Sequence, residues 1–260
     1  MNPIEAALLG VVQGLTEFFP VSSSGHLAMF QALFGGRDGD GLLFEVSLHV
    51  ATLVAIVTFY RHRIRSLIAG ILDRNRDAID YVGKLVVATL PSVFIGLTAK
   101  DWIGEQFSNP LLVGCALLLT GAIVFSTRWT AIGASVSTPG WAAAIAIGLA
   151  QSFAILPGIS RSGSTVAVAL ALGIAPRSAA EFSFLLGIIA ITGAAILTLP
   201  HLSQVEPGTL LNIGVGSFTA LASGLLAIWL FVRMLDRSLF HHWAWYCWAV
   251  GGAFLAWSLA

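Results

Sequence analysis

The sequence predicts an all-α polytopic membrane protein with about six transmembrane helices and two re-entrant helical hairpins. Three observations support this fold class. Of the 260 residues, 57% are hydrophobic and only 10% are charged, and the mean hydropathy is +0.88. Apolar stretches long enough to cross a bilayer recur along the chain, and two other apolar regions are interrupted midway by proline, glycine and serine. Since a soluble domain carries about 25% charged residues, this composition indicates a membrane protein.

The charge balance and the two cysteines exclude several classes of function. The formal net charge is zero, which argues against a nucleic-acid partner. Cys115 and Cys247 lie inside apolar runs, which is typical of packing residues rather than of a disulfide framework or a metal motif. The amino terminus has an acid and no basic residue, so we expect no cleaved signal peptide.

Six apolar stretches predict membrane-spanning helices. Each is about 17 to 23 residues long, near the length that a helix needs to cross the hydrocarbon. They comprise roughly residues 42–60, 79–99, 110–128, 177–199, 210–232 and 243–259.

Residues 4–34 and 140–174 follow a different pattern. Each region contains two apolar helices with a break between them. A half-helix of about 12 to 14 residues covers only about 20 Å, which is too short to span the bilayer. We therefore expect two re-entrant hairpins, each of which enters and leaves the membrane on the same side. Irregular backbone at this depth is tolerated only where it is buried in protein or lines a wet cavity.

The basic residues predict the orientation of the chain. If the segment Arg61–Arg76 is a cytoplasmic loop, ten of the thirteen lysines and arginines fall on or near the inner face. Arg37 and Lys100 fall outside, and Arg161 lies in the membrane. This asymmetry follows the positive-inside rule. Both termini are then outside, the first hairpin enters from the outside, and the second enters from the inside.

An internal repeat relates the two hairpins. We predict one integral membrane domain over residues 1–260, built from an inverted-topology repeat of residues 1–130 and 138–260, approximately. In such repeats broken helices meet near the membrane midplane and form the binding site. A shift of 138 residues matches Gly10 with Gly148, Gln13 with Gln151, Ser22 with Ser160, Ser24 with Ser162, and Gly25 with Gly163.

The stretch LPGISRSGST, residues 156–165, carries the strongest functional signal. It places Arg161 in an apolar region, where a charged residue usually marks a substrate or ion site. Proline and glycine break the preceding helix, and Ser160 is suited to cap a new helix that begins at Arg161. A helix N-terminus beside an arginine attracts anions, and phosphate fits best. The surrounding hydroxyl groups belong to Ser160, Ser162, Ser164 and Thr165.

The first hairpin supplies groups that the second lacks. Gln13 and Glu17 are four residues apart on a helix and therefore share one face. A proline ends that helix, and a serine run begins the next helix, with His26 in its first turn. If the two tips meet, the site combines an anion clamp with a candidate nucleophile, base and metal ligand. The serine run comprises Ser22, Ser23 and Ser24.

Each of these residues also has a structural interpretation. Glu17 could simply neutralise Arg161, and His26 could be an interfacial histidine with a satisfied hydrogen bond. Ser22 and Ser24 are better suited to capping than to reaction.

Three polar residues on the predicted spans are interpreted as structural. Glu45 and Glu181 lie near span ends, where carboxylates are more often interfacial than catalytic. His49 lies on the first span, one helical turn before Thr52, and is interpreted as a packing or cavity-lining residue.

Around Glu17 and Arg161 the sequence closely resembles the undecaprenyl-diphosphate phosphatase family, also called bacitracin-resistance proteins. The segment QGLTEFFPVSSSGHL resembles the first signature motif of the family, with Gln13 and Glu17 at its Glu-or-Gln and Glu positions. Because position 13 is glutamine, a metal site with two carboxylates there is less secure. The segment PGISRSGST resembles the second motif, which is filled by Pro157, Gly158, Ser160, Arg161, Ser162 and Thr165.

The resemblance implies hydrolysis of a C55 polyprenyl diphosphate at the outer face of the bacterial cytoplasmic membrane. This reaction regenerates the lipid carrier of cell-wall synthesis. Arg161, helix N-termini and a divalent cation, Mg²⁺ or Ca²⁺, are expected to neutralise the diphosphate. Glu17 is the expected cation ligand or general base, and Ser23 or His26 the nucleophile, with His26 alternatively a base for Ser23 or for water. The expected substrate contacts are Gln13, Ser22, Ser24, Ser160, Arg161, Ser162 and Thr165.

A transporter or flippase of the lipid phosphate is the competing function, because inverted repeats with broken helices are a transporter architecture. The Glu17, Ser23 and His26 group favours hydrolysis, which needs such groups, whereas anion binding alone does not. Membrane lipids surround either kind of protein, and assembly as a homodimer is left open by the sequence.

Overall fold

The computed structural model describes residues 1–34, 41–198 and 209–259. Apart from one isolated bridge between Val136 and Ile174, these residues form helices, turns and irregular segments, which confirms the predicted all-α class. The α-helices of the described segments are α1 Pro3–Phe18, α2 Ser23–Phe34, α3 Gly41–Phe59, α4 Arg61–Leu72, α5 Arg76–Thr98, α6 Lys100–Gln106, α7 Pro110–Thr130, α8 Trp141–Phe153, α9 Arg161–Ala171, α10 Pro176–Thr198, α11 Thr209–Asp236 and α12 Trp243–Leu259.

Each of the six predicted spans corresponds to a long helix. By length and hydropathy, α5, α7, α10 and α11 are able to cross a membrane, and α3 joins them when it is taken together with α4. The sixth predicted span forms α12, which has 17 residues. The chain is therefore a multi-pass membrane protein, as its composition predicts.

The segment Arg61–Arg76, predicted as a loop, is mostly helical. Helix α4 follows α3 after Tyr60, and the two helices are bent by 73°. Its buried residue is Leu67, so the arginines of α4 lie on a largely exposed helix. The hydropathy pattern missed this helix because it is short and amphipathic. Arg37, one of the two basic residues predicted outside, lies outside the described residues.

The two predicted hairpins are broken where the sequence indicates. The first break separates α1 from α2, and the second separates α8 from α9. Helix α1 packs along α11, and α8 packs along α5. A Cβ at Gly10 would collide with the carbonyl oxygen of Gly216, and a Cβ at Gly148 would collide with that of Ala88. Both half-helices thus approach a long helix through glycine, as is common in membrane proteins. The inverted repeat itself stays a prediction.

An aromatic cluster supports the region between the hairpins. Phe184 on α10 packs edge-on against Phe18 at the end of α1, with ring centroids 5.6 Å apart, and against Phe231 on α11 at 4.9 Å. All three side chains are fully buried. Because Phe18 follows Glu17 and Phe184 follows Ser183, this cluster fixes the backbone that carries polar groups of the candidate site.

Candidate active site

The tip of the first hairpin presents Glu17 and Ser23 on either side of a tight break. Glu17 lies in the last turn of α1, and Ser23 is the first residue of α2. Between them Ser22 has a positive φ of 66°, which reverses the chain within a few residues. The Ser22 hydroxyl accepts a hydrogen bond from the Gly25 amide at 3.2 Å, so its predicted capping role is confirmed.

The tip of the second hairpin presents Arg161 at the start of α9. Ser160 caps this helix, as predicted, because its hydroxyl accepts the Gly163 amide at 3.1 Å. Gly158 has a φ of 95°, a conformation that favours glycine. Thr120 on α7 holds the turn from outside, since its hydroxyl donates to the Gly158 carbonyl at 2.7 Å and accepts the Ser160 amide at 3.0 Å. No sequence pattern indicated Thr120, which lies inside an apolar span.

The two tips meet, and Glu17 lies at the point of contact. The guanidinium Nη2 of Arg161 donates to Oε1 of Glu17 at 2.9 Å. The other oxygen, Oε2, accepts from the Ser23 hydroxyl at 2.7 Å and from the Gln13 amide at 3.2 Å. Nε2 of His49 lies 3.9 Å from the same oxygen. Residues 144 positions apart in sequence are thus joined in one hydrogen-bonded group.

Helix α10 fixes the orientation of Arg161. Nη1 of Arg161 donates to the Ser183 carbonyl at 3.4 Å. Gly187, which has no side chain, leaves the space that the guanidinium fills. A Cβ at Gly187 would collide with Nη1 of Arg161. The Thr165 and Ser183 hydroxyls are 2.6 Å apart, which links α9 to the same helix. Ser183 and Gly187 were not predicted; they are four residues apart and share one face of α10, but their spacing does not show that this face meets a hairpin tip.

A cavity of about 380 Å³ adjoins this group. The predicted residues that line it include Glu17, the three serines of the first tip, Ser160 and Arg161. Five further polar residues line it as well: Thr16, Glu45, His49, Ser92 and Gln151. His49 is therefore the cavity-lining residue that the sequence suggested. Glu45, which was expected to be interfacial, also lines the cavity, and its spacing of four residues from His49 was the signal that could have indicated this.

Glu181, by contrast, has the structural role that the sequence suggested. Its carboxylate accepts Nε of Arg63 at 2.8 Å and the hydroxyl of Tyr81 at 3.1 Å. This contact ties α10 to α4 and α5.

His26 is not among the residues that line the cavity. One of its ring nitrogens is 2.8 Å from the Ser22 carbonyl, and the other is 2.8 Å from the hydroxyl of Tyr246 on α12. The imidazole also stacks on the Tyr246 ring. These contacts match the alternative of an interfacial histidine with satisfied hydrogen bonds. A catalytic role for His26 stays a prediction that requires the ring to leave Tyr246.

Three predicted substrate contacts lie behind the cavity wall. The Gln13 amide donates to Glu17, and the Ser162 hydroxyl donates to the Phe19 carbonyl at 3.3 Å. The Thr165 hydroxyl donates to the Arg161 carbonyl at 2.8 Å. In this arrangement all three residues support the residues that line the cavity.

The ion pair between Glu17 and Arg161 is compatible with two interpretations: a functional pair, or a structural pair in which Glu17 only neutralises Arg161. A buried pair of this kind is weak evidence for stability, because desolvation offsets most of the attraction. The exposure of the side chains is 15% for Arg161 and 8% for Glu17, and both line the cavity. Their position on the cavity wall, beside a serine hydroxyl, favours a functional role for the pair.

The donor set fits a divalent cation that takes part of its coordination from a phosphate ligand. Among the residues described, no three acidic, histidine or cysteine side chains form a complete metal site. Mg²⁺, however, is usually held by one or two carboxylates together with substrate phosphates and water. Glu17 and Glu45 both line the cavity and supply carboxylates of this kind.

Comparison with known proteins identifies the family to which the chain is similar. The profile of the family described as "Bacitracin resistance protein BacA" matches residues 6–253. An undecaprenyl-diphosphatase of Syntrophotalea carbinolica is 39% identical, over 98% of this chain and 99% of the relative. One from Desulfosudis oleivorans is 40% identical over 98% of each chain, and one from Methanococcus maripaludis strain C6 is 35% identical over 94% of this chain and 96% of the relative.

Proposed function

The chain belongs to the BacA family of bacitracin resistance proteins, and we propose that it hydrolyses undecaprenyl diphosphate to undecaprenyl phosphate and inorganic phosphate. The observation that carries this proposal is the contact of Glu17 with both Arg161 and Ser23 at the wall of one cavity. A carboxylate, a hydroxyl and a guanidinium within hydrogen-bonding distance are the groups that phosphoryl transfer requires. The relatives carry the name of this activity.

Arg161 and the N-termini of α2 and α9 are the groups that bind the diphosphate. The guanidinium is planar and presents several donors, which suits phosphate oxygens better than a point charge does. The free amides at a helix N-terminus favour an anion. In the resting arrangement Arg161 is paired with Glu17, so a phosphate that enters the cavity competes with that carboxylate for the guanidinium.

Ser23 is the nucleophile that the geometry supports best. Its hydroxyl already donates to Oε2 of Glu17 at 2.7 Å, which is the distance expected between a nucleophile and its base. In the proposed step the Ser23 oxygen bonds to the terminal phosphorus and its proton passes to Glu17. The bond from that phosphorus to the bridging oxygen breaks, and undecaprenyl phosphate leaves. Water then hydrolyses the phosphoserine and releases phosphate.

A divalent cation, Mg²⁺ or Ca²⁺, is part of the proposal. Glu17 and Glu45 are the residues that would hold it. When bound, such an ion neutralises negative charge on the phosphate oxygens.

We further propose that the protein acts at the outer face of the bacterial cytoplasmic membrane. There it would regenerate the lipid carrier of cell-wall synthesis and, by removing the diphosphate form, confer bacitracin resistance. The asymmetry of basic residues supports this orientation, since the arginines of α4 lie on the predicted inner side.

Cysteine labelling tests the orientation. Glu105 and Asn75 are both exposed, on α6 and immediately before α5 respectively. In intact cells a membrane-impermeant thiol reagent should label a cysteine at position 105 and miss one at position 75. Labelling of position 75 from outside would overturn the orientation without affecting the proposed chemistry.

Phosphate release tests the activity itself. Purified protein in detergent should release phosphate from a polyprenyl diphosphate without any membrane gradient, because hydrolysis requires only substrate, water and the cation. Release of none, together with transfer of the lipid phosphate across proteoliposome membranes, would replace the enzyme with a transporter.

A further inference from the structure

Gln151 is a buried cavity residue with an unsatisfied oxygen. It lies on α8, is 2% exposed, and lines the cavity beside Glu17 and Arg161. Its Nε2 donates to the Ser92 hydroxyl at 3.2 Å. Its Oε1 has no hydrogen-bond partner among the described residues. Native proteins seldom leave such an oxygen unpaired, so this one calls for a partner that enters the cavity.

Gln13, which the internal repeat matches with Gln151, has a different hydrogen-bond partner. Gln13 has its amide on Glu17, four residues later. Four residues after Gln151 the second hairpin has Ile155, which offers no polar group. The amide of Gln151 is therefore anchored on α5 through Ser92, while its oxygen has no hydrogen-bond donor in the part of the chain that the structure describes.

The missing partner has to donate a hydrogen. A fully ionised diphosphate has no hydrogen to give, and the nearby guanidinium of Arg161 is directed to Glu17 and Ser183. A water molecule donates hydrogens and is the second reactant of the hydrolysis. Glutamine side chains orient attacking water in other phosphoryl-transfer enzymes.

We infer that Gln151 is a positioning residue that orients the water molecule for the hydrolysis of phosphorylated Ser23. This inference rests on the proposed function. The water oxygen bonds to the phosphorus, and the bond from the phosphorus to the Ser23 oxygen breaks. Glu17, protonated in the first step, gives that proton to the departing Ser23 oxygen, takes one proton from the water and releases it to solvent as phosphate leaves. The Gln151 oxygen accepts a hydrogen bond from the other hydrogen of that water, which stays on the phosphate, and Gln151 itself does not change.

The test separates the two steps of the reaction in one rapid-mixing experiment with purified protein and polyprenyl diphosphate. Gln151→Met keeps the length of the side chain but removes the amide. We expect a first turnover of undecaprenyl phosphate that equals the enzyme concentration at an unchanged rate, followed by steady phosphate release at least about tenfold slower than wild type. The KM should not rise.

Two matched variants complete the design. Ser92→Ala removes the anchor of the amide but not its oxygen, so it should slow the second step in the same way by a smaller factor. Gln106→Met, on the exposed helix α6 and away from the cavity, should leave both steps unchanged.

Equal slowing of the burst and of steady release in Gln151→Met and Ser92→Ala would overturn the inference, because the residue would then act before water enters. Unchanged kinetics in Gln151→Met would overturn it as well. In either case wild-type turnover would leave the proposed function standing. Absence of turnover in wild type would instead show that the proposed function is wrong.

Discussion

The two broken hairpins share the same capping hydrogen bonds but present side chains of different chemistry. In each, a serine caps the second helix, accepts the amide three residues later, and lies 3.2 Å from the hydroxyl two residues later. The residue after the cap is Ser23 in one hairpin and Arg161 in the other. Both donate to Glu17, one to each carboxylate oxygen.

Two hairpins with the same capping pattern can therefore form an asymmetric site. Equivalent positions approach one carboxylate from two sides, and the two donors differ in what they can do. A serine hydroxyl can be deprotonated and can attack, whereas an arginine remains charged and binds oxygen anions. The carboxylate itself occurs once, since the second hairpin has Ile155 at the matched position.

The largest expected effect comes from removing the charge that both tips share. Glu17→Gln keeps the shape of the side chain, but an amide is a poor ligand for a hard cation and cannot act as a base. We expect phosphate release to fall by about 10³-fold or more, within the range of general-base catalysis. The measurement is phosphate release in detergent, with and without a chelator.

The controls for Glu17→Gln distinguish loss of chemistry from loss of folding. The variant should insert normally and still bind the diphosphate, because Arg161 and the helix ends remain. A chelator should inhibit the wild type but have little further effect on the variant. Turnover of the variant near the wild-type rate would show that Glu17 only neutralises Arg161.

Much of this comparison is visible in the sequence. The matched serines and glycines, the helix breaks and the pairing of Glu17 with Arg161 follow from spacing and from the cost of charge in a membrane. The supporting contacts from other spans do not. Thr120, Ser183 and Gly187 lie in apolar helices whose rotation depends on tertiary packing, and a 3.6-residue period alone does not say which face meets a hairpin tip.

The placement of His26 also depended on tertiary structure. Its spacing from the serine run placed it at the same hairpin tip as Glu17. The partner that it contacts, Tyr246, is 220 residues away on α12. No local pattern indicates such a contact.

The next largest effect is expected at Arg161, the residue of the second hairpin that donates to Glu17. Arg161→Lys keeps the positive charge but loses the planar fork that contacts Glu17 and Ser183 together. We expect kcat/KM to fall by at least about 30-fold, equivalent to about 2 kcal/mol of transition-state stabilisation. Near-normal kcat/KM in a correctly inserted protein would make Arg161 a structural residue.

A smaller effect is expected from a residue that supports only one of the two donors. Gly187→Ala puts a methyl group where Nη1 of Arg161 lies, so the guanidinium has to shift while Ser23 is untouched. We expect kcat/KM to fall by about tenfold, since small displacements of a catalytic group are costly. Gly193→Ala on the same helix is the matched control, because its Cβ would meet nothing within 4 Å. Equal kinetics for the two variants would contradict the proposed role of Gly187.

The smallest expected effect is a difference in thermal stability when glycine replaces each of the two capping serines, because the two serines differ in backbone conformation. Ser22 has a φ of 66°, whereas Ser160 has a φ of −77°. Replacement by glycine removes the cap hydroxyl in both cases, but only at Ser22 does it also relieve a conformation that is unfavourable for a residue with a Cβ. Glycine at a cap costs only a few tenths of a kcal/mol relative to serine, and the relief at position 22 is about 1 kcal/mol. Ser22→Gly should therefore be at least as stable to thermal unfolding in detergent as the wild type, while Ser160→Gly should unfold at a lower temperature. If Ser22→Gly is the less stable of the two, its hydroxyl contacts with Gly25 and Ser24 outweigh the backbone strain, and the first tip is held mainly by those hydrogen bonds.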